Sequence, residues 1–144
     1  SDRLQRTPEL KLALVIGGGS TARQYQHAAK VVASEATPEI LDEIGIAATR
    51  VNAQVIRAAF GSLCRDPLFT DPTAVRAITG RVLVGGGWKP GFSTDNVSVR
   101  LAETLGADTV INLSNIRQIY TADPKIDPGS LFRASCAVPP KVPD

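Results

Sequence analysis

Apolar runs and helical periods alternate along the chain. Leu12-Ala13-Leu14-Val15-Ile16 has no polar alternation, so it reads as a buried parallel strand over residues 11–16, with no wet face. Arg81-Val82-Leu83-Val84 predicts a second strand over 81–84, and Asp108-Thr109-Val110-Ile111-Asn112-Leu113-Ser114 a third over 108–114. After the first strand, Ala22, Tyr25, Ala28, Ala29 and Val32 fall on one face of a helix of about four turns, which Ser20 caps. Thr37 before Pro38 marks the next helix start. Ile40, Ile44, Ala47, Val51, Val55 and Ala59 trace its buried stripe, and Gly61 ends it. A loop with two prolines covers 62–72, and a short helix 73–78. Ser93 or Thr94 caps a further helix that turns Val97, Leu101, Ala102 and Leu105 inward and stops at Gly106. Residues 1–9 are polar without period. Beyond Pro124 the prolines at Pro128, Pro139, Pro140 and Pro143 argue against a packed element.

This alternation predicts an α/β fold with a mostly parallel sheet. Ligands in such sheets sit outside the carboxyl ends of the strands. Two glycine triplets fall at those ends, Gly17-Gly18-Gly19 and Gly85-Gly86-Gly87, each followed by a helix. Glycines let backbone N–H groups approach a phosphate, and a helix N-terminus adds free donors and partial positive charge. Arg23 lies in the first helical turn, where its guanidinium can close over the same phosphate. Two such units suggest two anionic groups bound near each other. The rival reading is that each glycine run is only a tight strand-to-helix turn. His27, beside the first helix's apolar face, reads as a surface residue. Asp42 and Arg50, taken alone, read as a solvated or intrahelical pair.

Composition narrows the class. A chain of 144 residues is one domain with room for a core, and 43% apolar with 21% charged residues is ordinary for a globular protein. A net charge of +2 and 5% aromatics argue for neither nucleic acid nor a membrane surface as partner. No apolar stretch approaches a membrane span, and no signal-peptide pattern opens the chain. Cys64 and Cys136 lack metal-ligand spacing and read as reduced thiols of a cytoplasmic protein, with a disulfide as the alternative.

Four stretches together resemble the amino acid kinase superfamily, and within it the archaeal type of uridylate (UMP) kinase. They are Val15-Ile16-Gly17-Gly18-Gly19-Ser20-Thr21-Ala22-Arg23, then Asp42-Glu43-Ile44-Gly45-Ile46 with Thr49-Arg50-Val51-Asn52-Ala53, the loop 87–95, and Asn115-Ile116-Arg117-Gln118-Ile119-Tyr120-Thr121-Ala122-Asp123-Pro124. The resemblance runs from about Leu12 to Pro128. It implies a three-layer α/β/α domain over 1–128, with 129–144 a Pro-rich tail of no assigned structure. It also implies phosphoryl transfer from ATP to UMP with Mg2+, in a homo-oligomer, dimer or hexamer. On matching positions, Gly18 would meet UMP and Gly19 the ATP phosphates. Arg23, the candidate catalytic residue, would meet the phosphates where the two nucleotides join. Asp42 would contact UMP, reversing its reading as a solvated charge. Trp88, Lys89, Pro90, Gly91, Phe92, Ser93 and Thr94 would wrap the UMP phosphate and base. Ser114, Asn115, Tyr120 and Asp123 match the ATP site. Arg50 marks membership rather than a ligand role. No residue is assigned to a metal.

The chain departs from the family pattern in three places. The family opens with a strand that carries a lysine and a Gly-Gly-Ser turn, and no counterpart is visible here. It continues past the Asp-Pro motif to an aspartate that organises the site, and the Pro-rich stretch does not align with that segment. Arg117-Gln118 stands where Asp-Gly is usual. These departures predict a chain that binds nucleotide and turns over poorly. Lys89 and Lys125 are candidates for residual positive charge near phosphates; the rival reading of each is an ordinary loop lysine. Two other readings are a non-catalytic nucleotide-binding module of the same fold and a Rossmann-type dinucleotide domain. The latter is disfavoured, because neither glycine run has Gly-x-Gly-x-x-Gly spacing and no acidic residue closes a strand about 20 residues on.

Overall fold

Leu12–Val15 (β1) and Val82–Gly85 (β2) pair in parallel, with Leu12 opposite Val82 and Val15 opposite Gly85. The computed structural model describes residues 10–113, 119–120 and 132–133. The register brings both strands to their carboxyl ends together, so the two glycine runs leave the sheet side by side. Parallel neighbours need a long crossover. Here it consists of the helices Gly19–Val32 (α1) and Pro38–Phe60 (α2), a 3-10 turn at Gly61–Leu63, and the loop 64–80.

The sheet carries helices on both faces, as an α/β fold requires. On one face Ala53 of α2 packs with Val82, Val84 and Cys64, and with Leu12, Leu14 and Ile16 at their edge. On the other, Val97 and Leu101 of the helix Thr94–Leu105 (α3) pack with Leu83 and Phe69, flanked by Ala13 and Val15. The period of two along each strand therefore feeds two cores. β2 is buried throughout, since β1 lies on one edge and Phe69 bridges to Gly85 on the other. β1 is only half-buried, where the sequence predicts full burial. Among the described residues it pairs along one edge alone.

Helix boundaries follow local chemistry. Thr37 caps α2 by accepting the Ile40 N–H at 3.3 Å, with Pro38 at the first helical position. Ser93 caps α3 by accepting the Asn96 N–H at 3.2 Å, and Gly106 closes it in the left-handed conformation at φ 65°. α1 differs from expectation. It begins at Gly19, its N-cap is Gly18, and no side chain caps it, so Ser20 is not the cap.

The buried stripes of α1 and α2 are also not those of the apolar period. Val51 and Val55 are 63% and 65% exposed, and Ile40, Ala47 and Ala59 face outward too. α2 instead buries Gly45, Ala48, Thr49 and Ala53. On α1, Ala22 is buried while Tyr25, Ala28 and Val32 are exposed. The two helices meet through small residues. A Cβ on Gly45 would come within 2.8 Å of Gln26 Nε2, which donates to the Leu41 carbonyl at 2.8 Å.

Two predicted elements do not form. Residues 73–78 are not helical. Asp71 takes the Thr73 N–H at 2.8 Å in a local turn. Asp66 then gathers the N–H groups of Thr79 and Gly80, each at 3.0 Å, and pulls the chain into β2. Residues 108–113 form no strand, and Ile111 and Leu113 are 76% and 92% exposed. A strand gains stability from a paired ladder and a covered face, and among the described residues this segment has neither. By its contacts the chain divides into two compact units, Ser1–Val110 and Ile111–Asp144. In the second, Ile119–Tyr120 (β3) pairs antiparallel with Phe132–Arg133 (β4), which lies in the stretch where the sequence predicts no element.

Candidate functional site

One face of α2 holds both glycine loops. The Thr49 hydroxyl is buried, accepts the Gly87 N–H at 2.7 Å and donates to the Ile46 carbonyl at 2.6 Å. Arg50 donates to the carbonyls of Gly87 and Trp88, at 3.3 and 2.9 Å. Asn52 donates to the carbonyls of Gly17 and Gly18, at 3.0 and 3.2 Å. Asp42, two turns earlier, accepts the Gly91 N–H at 2.9 Å. Asp42 and Arg50 therefore do not pair along the helix, and Asp42, though exposed, has a partner in the loop. They tie the loop after β2 to α2 at two points.

The glycine runs do different work. Gly85, Gly86 and Gly87 are all buried. A Cβ on Gly85 would fall 2.2 Å from the Phe69 ring, and one on Gly86 would fall 2.8 Å from Thr49 Oγ1. This run is glycine because a ring and a helix press against it. The first run is more open. Gly19 enters α1 at φ 58° with nothing within 4 Å of a built Cβ. No side chain caps the start of α1, so its first N–H donors and their partial positive charge have no side-chain partner.

Between these loops lies a cavity of about 500 Å³. Its lining brings together Gly18, Gly19, Arg23, Asp42, Lys89, Gly91, Phe92, Ser93 and Thr94 from the sequence-predicted set. Trp88 and Pro90 are not part of that lining. Gly87 of the second glycine run also lines it, as do Gln26, Gly45, Ile46 and Thr49, which sequence reasoning did not assign to the site. A threonine in mid-helix among apolar neighbours is the signal that could have found Thr49. Arg23 and Lys89 are exposed and give the cavity its positive charge, and Asp42 is the carboxylate in its lining. Lys89 Nζ lies 4.0 Å from the Trp88 ring centroid and 5.0 Å from that of Phe92. His27 is exposed on α1 and takes no part in the lining.

Tyr120 lies in β3 of the second unit, while Ser114, Asn115 and Asp123 lie outside the described residues, as does Cys136. Cys64 is a free, buried thiol. Burial pushes its pKa up, against the lowering effect of Arg57. Among the described residues no group of three or more His, Cys, Asp or Glu side chains could hold a metal ion, and none of their helices is long and apolar enough to cross a membrane.

A profile described as the amino acid kinase family matches residues 3–133. Uridylate kinase of Methanospirillum hungatei is 43% identical over 122 residues, 83% of this chain and 51% of that protein. Uridylate kinase of Pyrococcus abyssi is 40% identical over 123 residues, 83% of this chain and 53% of that protein. The crystal structure of uridylate kinase from Archaeoglobus fulgidus superposes with a TM-score of 0.69 at 35% identity, covering 86% of this chain and 57% of that one. The chain spans about half the length of the curated relatives it matches.

Proposed function

This chain belongs to the amino acid kinase family, and from that premise we propose that its cavity takes a nucleoside monophosphate, UMP, for phosphorylation by ATP to UDP. The observation that carries the reading is the placement of two cations, an uncapped helix start and one carboxylate around a single cavity of about 500 Å³. Phosphoryl transfer asks little covalent chemistry of a protein. It needs positioning and fixed positive charge on the transferred group.

In this reading Gly18, Asp42 and the loop 88–94 meet UMP. Asp42 Oδ2 is committed to Gly91, and its other oxygen is available to a sugar hydroxyl. Gly19 and Arg23 meet the ATP phosphates; the family resemblance also assigns Ser114, Asn115, Tyr120 and Asp123 to ATP. Arg50 and Asn52 lie outside the cavity lining and set the two loops, while Thr49 both lines the cavity and holds Gly87. In this reading Mg2+ accompanies ATP, held chiefly by the phosphates, as such an ion commonly is. The reading further places the protein in the cytoplasm and in pyrimidine biosynthesis, as a homo-oligomer without nucleic-acid or membrane partners.

Calorimetric titration tests it. UMP should bind the native chain, and Arg23→Ala should weaken UMP or ATP binding by about 1.5–3 kcal/mol, the worth of a hydrogen bond to a charged group. Unchanged affinity for both nucleotides in that variant would remove Arg23 from the site.

A further inference from the structure

The loop after β2 carries the chain's single tryptophan, and a lysine rests on it. The rings of Trp88 and Phe92 lie 4.8 Å apart, tilted by 59°, and Lys89 Nζ is within cation–π range of both. The rings are half-buried against the core on the α3 side. The backbone beneath them is fixed. Arg50 holds the Trp88 carbonyl, the Phe92 N–H donates to the Lys89 carbonyl at 3.3 Å, and Asp42 holds Gly91. The Lys89 side chain itself is exposed, and ring faces are what it touches.

The neighbouring carboxylates do not claim the ammonium. Asp71 senses its charge, but its Oδ1 is taken by the Thr73 hydroxyl and N–H. Asp42 Oδ2 is taken by Gly91. Lys89 is thus a cation on a flexible stem, attached to a rigid loop, resting on a weak partner at the edge of the cavity that Arg23 also lines. A cation–π contact at an exposed site is weaker than a charge-assisted hydrogen bond to phosphate. An anion entering the cavity therefore outcompetes the rings.

We propose that Lys89 is a phosphate-recognising arm, which rests on Trp88 and Phe92 and moves onto the phosphate of the entering nucleoside monophosphate, so that the site distinguishes the phosphorylated acceptor from the bare nucleoside. The proposal rests on reading the cavity as a nucleoside monophosphate site. It assigns to Lys89 a discriminating role, distinct from the backbone donors and from Arg23.

Because Trp88 is the sole tryptophan, its emission reports the position of the ammonium. Inorganic phosphate titrated into the native chain should shift that emission, and Lys89→Gln should abolish the shift. By calorimetry, the ratio of uridine to UMP dissociation constants should fall about tenfold in Lys89→Gln, through weaker UMP binding at unchanged uridine binding, and be retained in Lys89→Arg. Lys89 is exposed, so the thermal midpoint should not move and misfolding would not confuse the result. A phosphate response that persists in Lys89→Gln, an absent response in the native chain, or an unchanged uridine-to-UMP ratio would overturn the proposal while leaving the UMP reading intact. Absence of UMP binding to the native chain would overturn both.

Discussion

Arg50 reaches from α2 to the Trp88 carbonyl, a hydrogen bond of 2.9 Å spanning 38 residues, with a second from its Nε to the Gly87 carbonyl at 3.3 Å. The planar guanidinium offers two donors in a fixed fork, and the loop turns two successive carbonyls to meet them. Arg50→Ala should lower stability by about 1.5–3 kcal/mol, because both carbonyls lose a charged donor. Arg50→Lys should recover only part of that, since an ammonium on a flexible stem does not reproduce the fork. Urea unfolding followed by circular dichroism measures both. A midpoint unmoved in Arg50→Ala would show that the loop holds itself.

Gly86 lies buried against α2 at the same junction. A methyl there would sit 2.8 Å from Thr49 Oγ1 and 3.1 Å from the Arg50 backbone nitrogen. Backbone atoms cannot rotate away, so Gly86→Ala should cost about 1–3 kcal/mol by overpacking. The loop would also move off Thr49, so UMP affinity should fall with stability. A variant as stable as the native chain would mean that α2 and the loop are not pressed together.

Asp66 closes the connection into β2. Burial raises its pKa, but the bonds from the N–H groups of Gly80 and Thr79 and from the Thr79 hydroxyl, with the Lys11 charge, outweigh it and hold the carboxyl below the ordinary 3.8. A carboxyl with a depressed folded pKa contributes stability above its unfolded pKa and loses it as pH falls through the folded one. The native chain should therefore keep this contribution above about pH 4 and shed it on further acidification. Asp66→Asn should be less stable at neutral pH, and its stability should fall less steeply below pH 4. Parallel acid slopes in the two proteins would remove Asp66 from the acid transition.

Much of the fold was legible where one residue type has one local consequence. Thr37-Pro38, Ser93, Gly61 and Gly106 mark helix ends by backbone chemistry that tertiary context does not alter. β1 and β2 were legible from apolar runs bounded by glycine. The buried stripe of α2 was not, because apolar size misleads where helices approach closely. Gly45, Ala48 and Ala53 are buried for being small, while Val51 and Val55 stay outside. Residues 108–113 have strand-forming side chains, but a strand is defined by its neighbour, which a propensity cannot supply. Gly18, Gly19 and Arg23 were singled out from the strand–glycine–helix pattern, and Asp42 and most of the loop 88–94 through the resemblance; all of them line one cavity. Arg50 and Thr49 were missed as site builders because their partners are carbonyl and amide groups, which are the same for every residue type.

The central claim is that α2 gathers the start of α1 and the loop after β2 into one nucleoside monophosphate site. Backbone amide NMR with UMP added tests it most directly, since each N–H reports its own position. The account predicts shifts at Gly18, Gly19, Gly91 and Thr94, and quiet amides at Phe69 and Val75, which line the separate pocket of about 300 Å³ in the loop 64–80. Shifts confined to that second pocket, or no shifts at saturating UMP, would contradict it.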